Sequence, residues 1–143
     1  MSSNWPTSLD FVPPPDSSLS PFDRAALVSM QSRLQRLFGT QTAATPSAGG
    51  TVTPDMSTGS QLAIAMPAGN ITVANPTNSL NGDMLTVYIT QDSVGARLVT
   101  WGNAFRKAVT LSITANALDS ITFCFNSSNS TWNQVGGAAL AIS

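Results

Sequence analysis

The sequence predicts an all-β domain of β-sandwich or jelly-roll type, preceded by an extended N-terminal arm and one short α-helix. Three observations predict it. Apolar and polar residues alternate along most of the chain beyond residue 60. Turn-forming Asn, Gly, Pro and Asp separate the alternating runs at short intervals, as in Asn75-Pro76, Asn81-Gly82 and Gly102-Asn103. Ahead of them stand a proline-rich stretch and then a run with helical spacing. The division that follows is an arm over 1–20, an amphipathic helix over 21–39, a linker over 40–59 and a β-sandwich over 60–143.

The arm has no periodicity, and Pro6, Pro13, Pro14 and Pro15 remove backbone donors and favour polyproline II geometry. It nevertheless carries Trp5, Leu9, Phe11 and Val12, large apolar groups for which a solvated tether has no use. They are the candidates for docking on a neighbouring subunit, the other reading being that they fold back on the chain's own β domain. Stiffening by proline lowers the ordering entropy lost on docking.

Ser20-Pro21-Phe22-Asp23 reads as a helix start: Ser as N-cap, Pro in the first turn and Asp at the positive end of the dipole. The helix should end near Phe38, with Gly39 as a left-handed stop. Leu27, Met30, Leu34 and Leu37 recur at spacings of three, four and three, the a/d pattern of a coiled-coil seam. One apolar stripe laid on a globular surface gives the same spacing, so self-association and packing on another surface both remain open. Phe22 and these four residues join the arm as candidate partner-binding positions.

Gly49-Gly50 and Pro54 mark the next segment as a linker or loose meander, with Thr51-Val52-Thr53 as one short strand at its end. Beyond it, Leu62, Ile64 and Met66 alternate, as do Ile71 and Val73, and then Leu85, Val87 and Ile89. Further strands are expected over 97–101, 109–113, 120–125, 131–135 and 138–142. About eight short strands at this spacing favour a sandwich.

Composition narrows the function. Charged residues make up 9% of the chain and the formal charge is −1, which excludes the basic stripe of a nucleic-acid binder. No apolar run is long enough for a membrane span and no secretory leader is present. One cysteine, Cys124, rules out an intrachain disulfide. Histidine and glutamate are both missing, and with them the usual nucleophilic triads and most metal sites. Asp83, Asp92 and Asp119 lie at strand ends and read as turn residues rather than a catalytic pair. No catalytic residue, cofactor or metal is therefore expected. Trp101 and Trp132 are the candidates for a sugar platform, although a tryptophan within a β run more usually fills the core.

The stretch from Leu85 to Phe105 (LTVYITQDSVGARLVTWGNAF), followed by Leu111 to Phe123 (LSITANALDSITF) and Trp132, resembles a module that recurs in tailed-bacteriophage virion proteins. The opening Trp5-Pro-Thr-Ser-Leu-Asp10 and a helix ending at Gly39 resemble the attachment segment of such proteins. The resemblance implies a virion structural role, often as a trimer, and no catalysis. In the module, Gln91 and Asp92 should close a turn through side-chain hydrogen bonds, Gly95 should supply a positive-φ position and Trp101 should fill the core.

The function expected on these grounds is a trimeric capsid decoration (cement) protein. It would be made in the host cytoplasm and clamped to the major capsid protein of the virion by its arm and helix. Its small size favours this over a fibre. The alternative is a small tail-fibre or baseplate adhesin that binds host-surface glycans through Trp101 or Trp132. An enzyme such as a polysaccharide depolymerase is disfavoured by the missing His and Glu.

Overall fold

A computed structural model describes residues 20–41, 43–106 and 110–142. The arm candidates Trp5, Leu9, Phe11 and Val12 lie outside the described residues. The elements are α1 (Pro21–Phe38), β1 (Thr51–Val52), β2 (Gln61–Ala65), β3 (Ile71–Val73), β4 (Met84–Thr90), β5 (Val99–Trp101), β6 (Phe105–Arg106), β7 (Leu118–Asn126), β8 (Thr131–Gln134) and β9 (Ala139–Ile142).

The fold is mostly β with one helix, but it is not a sandwich or a jelly roll. Its first half is solenoid-like. Strands β1, β3 and β5 form a three-stranded parallel sheet in which Val52, Val73 and Trp101 stack in register. On the other side β2 runs parallel to β4, and bridges from Thr40 to Gln61 and from Ala44 to Ile64 prolong that sheet backwards. A third parallel bridge joins Asp55 to Thr77. The chain thus winds in successive coils, each laid beside the previous one. Alternation in sequence predicts that one strand face is buried, but it is the same for parallel and antiparallel pairing. Parallel pairing needs a long return path, and here each return carries a strand of the opposite sheet.

The second half closes the solenoid with antiparallel pairing. β7 lies along the whole of β4, with Leu85 opposite Phe123 and Val87 opposite Ile121. Its other edge is shared by β8 and β9, and β6 adds to β8. Between the two sheets lie Leu62, Ile64, Ile71, Val73, Leu85, Val87, Ile89, Ile121, Phe123 and Trp132, all almost fully buried. Each such aliphatic or aromatic side chain contributes about 1.5–3 kcal/mol of hydrophobic stabilisation.

Three local differences from expectation have simple causes. The stretch read as a linker forms the first coil: Met56 and Pro54 are buried, and the Gln41 side chain donates to the Gly59 carbonyl and accepts from Asp55 N–H. Its Thr, Ala, Gly and Pro content is that of a tight coil as much as of a tether. The strand expected over 109–113 is absent from 110–113, whose backbone is instead held by side chains, Ser112 N–H donating to Asp119 at 2.6 Å. Asp119 is itself buried within β7 and also accepts from Ala141 N–H at 2.7 Å, so it is an interior anchor rather than a turn residue.

Helix α1 starts as expected. Ser20 Oγ accepts from Asp23 N–H while Asp23 accepts from Ser20 N–H, a reciprocal capping box. It does not end with a left-handed glycine. Gly39 is extended, with φ −69° and ψ 147°, and its need for glycine is steric: a Cβ there would strike the Gln35 carbonyl and the backbone of Thr58 and Gly59. Arg36 fastens the helix to the body through the Asn78 carbonyl and the Asp83 carboxylate, both at 2.5 Å. No helix residue is buried.

Candidate functional site

The candidate site is a cleft beside β5, the last strand of the parallel three-stranded sheet. Ile71 N–H donates to the Leu98 carbonyl and Gly102 N–H to the Val73 carbonyl, so Leu98 and Gly102 point their peptide groups at β3. Backbone groups alternate sides along a strand, so those of Val99 and Trp101 face away from β3, towards the edge where no further strand lies among the described residues. That edge forms one wall of an open cleft of about 310 Å³. Arg97, Leu98, Val99, Thr100 and Trp101 line this wall, and Thr110 and Leu111 line the other.

Two side chains fix the walls. Gln91 is buried, and its Nε2 donates to the carbonyls of Arg97 and Ser112, both at 2.9 Å. It therefore ties the β5 wall to the segment that continues from Thr110. Asp92 closes the preceding turn by accepting from Gly95 N–H at 2.7 Å and from Val94 N–H at 3.2 Å. Gly95 takes the expected positive φ of 75°. Arg97 donates to Asp92 at 2.8 and 2.9 Å, and this hydrogen-bonded guanidinium, aided by the turn amides, holds the Asp92 carboxyl below its usual value. The cation at the cleft is thus already neutralised by its neighbour.

Trp101 is half-buried: its ring meets Phe105 edge-on at 5.1 Å and Phe123 at 5.3 Å in the core, and the residue is also one of those that line the cleft. The other tryptophan candidate differs. Trp132 is only 1% exposed, lies 5.1 Å from Phe125 and 6.5 Å from Phe105, and presents no face to a ligand. Its place within a β run agrees with the core reading drawn from the sequence. Of the helix candidates, Phe22, Met30, Leu34 and Leu37 are exposed and Leu27 is half-buried, all at a distance in sequence from the cleft.

The remaining cleft residues were not singled out as ligand groups from sequence. The Gln91-Asp92 pair is legible as turn chemistry, but Thr100 and Thr110 are two threonines among many, and only their placement distinguishes them. Among the described residues, no group of three His, Cys, Asp or Glu side chains could hold a metal ion. No helix there is long and apolar enough to cross a membrane.

Comparison with known proteins adds the family. Residues 52–128, more than half of the chain, match the family model described as "Putative phage tail fibre C-terminal domain". The match begins in the first coil and ends just past β7, so it contains every lining residue of the cleft. It gives no support to the capsid-decoration reading or to the major capsid protein as partner, and favours the fibre alternative. No curated protein and no solved structure matches the chain. With the cleft carried inside the matched region, the chain belongs to the phage tail fibre C-terminal domain family and is a virion structural protein with a fibre-type module.

Proposed function

We propose that the protein is a tail-fibre adhesin domain that binds host-surface glycan in the cleft beside Trp101 and catalyses no reaction. The observation that carries this reading is the placement of half-buried Trp101 with Thr100 and Thr110 around an open cleft within the region shared with tail fibre domains. A sugar presents an apolar C–H face and a ring of hydroxyls. The indole suits the first. The hydroxyls of Thr100 and Thr110, together with the outward peptide groups of Val99 and Trp101, suit the second. Because Arg97 is paired with Asp92, the cleft favours neutral over strongly anionic saccharides. The carboxylate beside Arg97, that of Asp92, is engaged by Arg97 and two amides, and the chain has no histidine to serve as a base.

The test is a glycan array followed by titration with full-length protein. Trp101→Phe keeps an aromatic ring in the core and Thr100→Ala removes one rim hydroxyl. Each should weaken saturable binding about tenfold, the equivalent of about 1.4 kcal/mol, while leaving thermal unfolding within a few degrees of wild type. Binding that both variants retain in full would remove the cleft from the mechanism. Turnover of a surface polysaccharide would sink the non-catalytic reading.

A further inference from the structure

Resting on the glycan reading of the cleft, we propose that its ligand is an N-acetylated amino sugar, held by its acetamido group between the edge of β5 and Thr110. The cleft lies along the side of β5 that no described strand covers, so its β5 wall is one half of an unfinished ladder. The group that suits such a wall is the one from which strands are made, a trans secondary amide. Its N–H and C=O point in opposite directions, so a single amide reaches both walls at once. One wall offers the outward N–H and C=O of Val99 and Trp101, and the other the hydroxyl of Thr110, which donates or accepts as the ligand requires. A sugar hydroxyl in the same place is too short to span them.

The same edge disfavours the other amide polymer, a peptide strand. Outward backbone groups recur at every second residue, and those of Arg97 are already taken: Gln91 donates to the carbonyl at 2.9 Å and accepts from the N–H at 3.2 Å. Just past Trp101, the Asn103 carbonyl accepts from the Arg106 guanidinium and the Asn103 side chain from Asn75. Side chains thus close the edge at both ends and leave Val99 and Trp101 between them. An added strand draws its affinity from a run of main-chain bonds, which this edge is too short to give. A saccharide unit needs few such bonds, and about 310 Å³ suits one. Charge selects the acetylated form. The ammonium of a free amino sugar would meet Asp92 already bound by Arg97 and two amides.

The test is a glycan array of pairs that differ only in acetamido against hydroxyl, N-acetylglucosamine with glucose and N-acetylgalactosamine with galactose, followed by titration of the better-bound pair with full-length protein. The acetamido member should bind about tenfold more tightly, and the gap should shrink to about twofold in Thr110→Val and persist in Thr110→Ser, which keeps the hydroxyl. Thr110 is exposed, so both variants should unfold at the wild-type temperature. Equal affinity within each pair, a gap that Thr110→Val leaves intact, or binding confined to glycans without an acetamido group would overturn the acetamide contact and leave a glycan cleft standing. No binding anywhere on the array would remove the adhesin reading with it. A capped tetra-alanine peptide that competes as well as the sugar would show strand addition in its place.

Discussion

Gln91 holds the backbone of Arg97 at both of its polar ends, donating Nε2–H to the carbonyl at 2.9 Å and accepting from the N–H at 3.2 Å. A single buried amide thereby does what a ladder partner does in a sheet, on the side where β5 has no further strand beside it among the described residues. Gln91→Leu keeps the volume but strands the Arg97 N–H and the Arg97 and Ser112 carbonyls. Leaving buried backbone groups unpaired costs about 1–3 kcal/mol each, partly relieved by water, so a loss of about 3 kcal/mol is expected in urea unfolding. Gln91→Glu should recover little, since a carboxylate can accept from the N–H but cannot donate to either carbonyl. Wild-type stability in either variant would show that the two walls stand without the clamp.

Trp132 provides the counterpart to the cleft tryptophan. It is buried in register with Phe105 on β6 and Phe125 on β7, so Trp132→Ala should cost about 3–5 kcal/mol through cavity formation. Glycan binding by the fraction that remains folded should be unchanged. Measuring binding against the folded fraction across a urea series separates the two effects. A loss of affinity in fully folded protein would return Trp132 to the list of ligand groups.

The residues show where sequence reasoning reached and where it stopped. The capping box at Ser20 and Asp23, the alternation in β2, β4 and β7, and the positive φ at Gly95 follow from local chemistry, and local chemistry is what a sequence displays. Pairing sense is not local. Leu62 beside Val87 in parallel and Val87 opposite Ile121 in antiparallel arise from runs that look alike. The first coil was hidden for a related reason: buried Gln41 bonds Met56, Asp55 and Gly59 across a turn of the chain, and Met56 N–H donates to the Thr77 carbonyl of the next coil, within a segment whose composition is that of a loop. Of the site, Trp101 was visible as a residue type, but its division between core and cleft depends on strand order.

Acid should weaken the two turn carboxylates together. Asp55 is held below the usual aspartate value first by the hydrogen bond from Asn78 and then by those from Ser57, and Asp92 first by Arg97. Both carboxyls have a lower pKa folded than unfolded. Their contribution to stability is therefore complete above the unfolded value, about pH 4, and is lost as pH falls through the lower folded values. Urea midpoints measured from pH 6 to pH 2 should stay level at first and then decline. The Asp92→Asn variant should be less stable than wild type at pH 6 and approach it at pH 2. A constant gap between the two across that range would mean that the Asp92 charge plays no part.

Gly39 and Gly59 meet back to back where α1 enters the solenoid. A Cβ on Gly59 would collide with the Gly39 carbonyl, and one on Gly39 would strike the Gln35 and Thr58 carbonyls and press on the Gly59 Cα, while the Ser60 N–H crosses to the Gly39 carbonyl at 2.9 Å. Neither position is explained by sequence alone, because Gly39 is extended and any residue can adopt its dihedral angles. The requirement is the close approach of two chain segments. Gly39→Ala and Gly59→Ala should each cost about 1–3 kcal/mol by overpacking. The two losses should add only in part, because separating the segments relieves each methyl's contact with the other segment but not that of the Gly39 methyl with the Gln35 carbonyl of its own helix. A double-mutant cycle in urea therefore reads the contact directly: a combined loss clearly below the sum of the two places the glycines in one contact, whereas a simple sum would mean that each methyl clashes with something else.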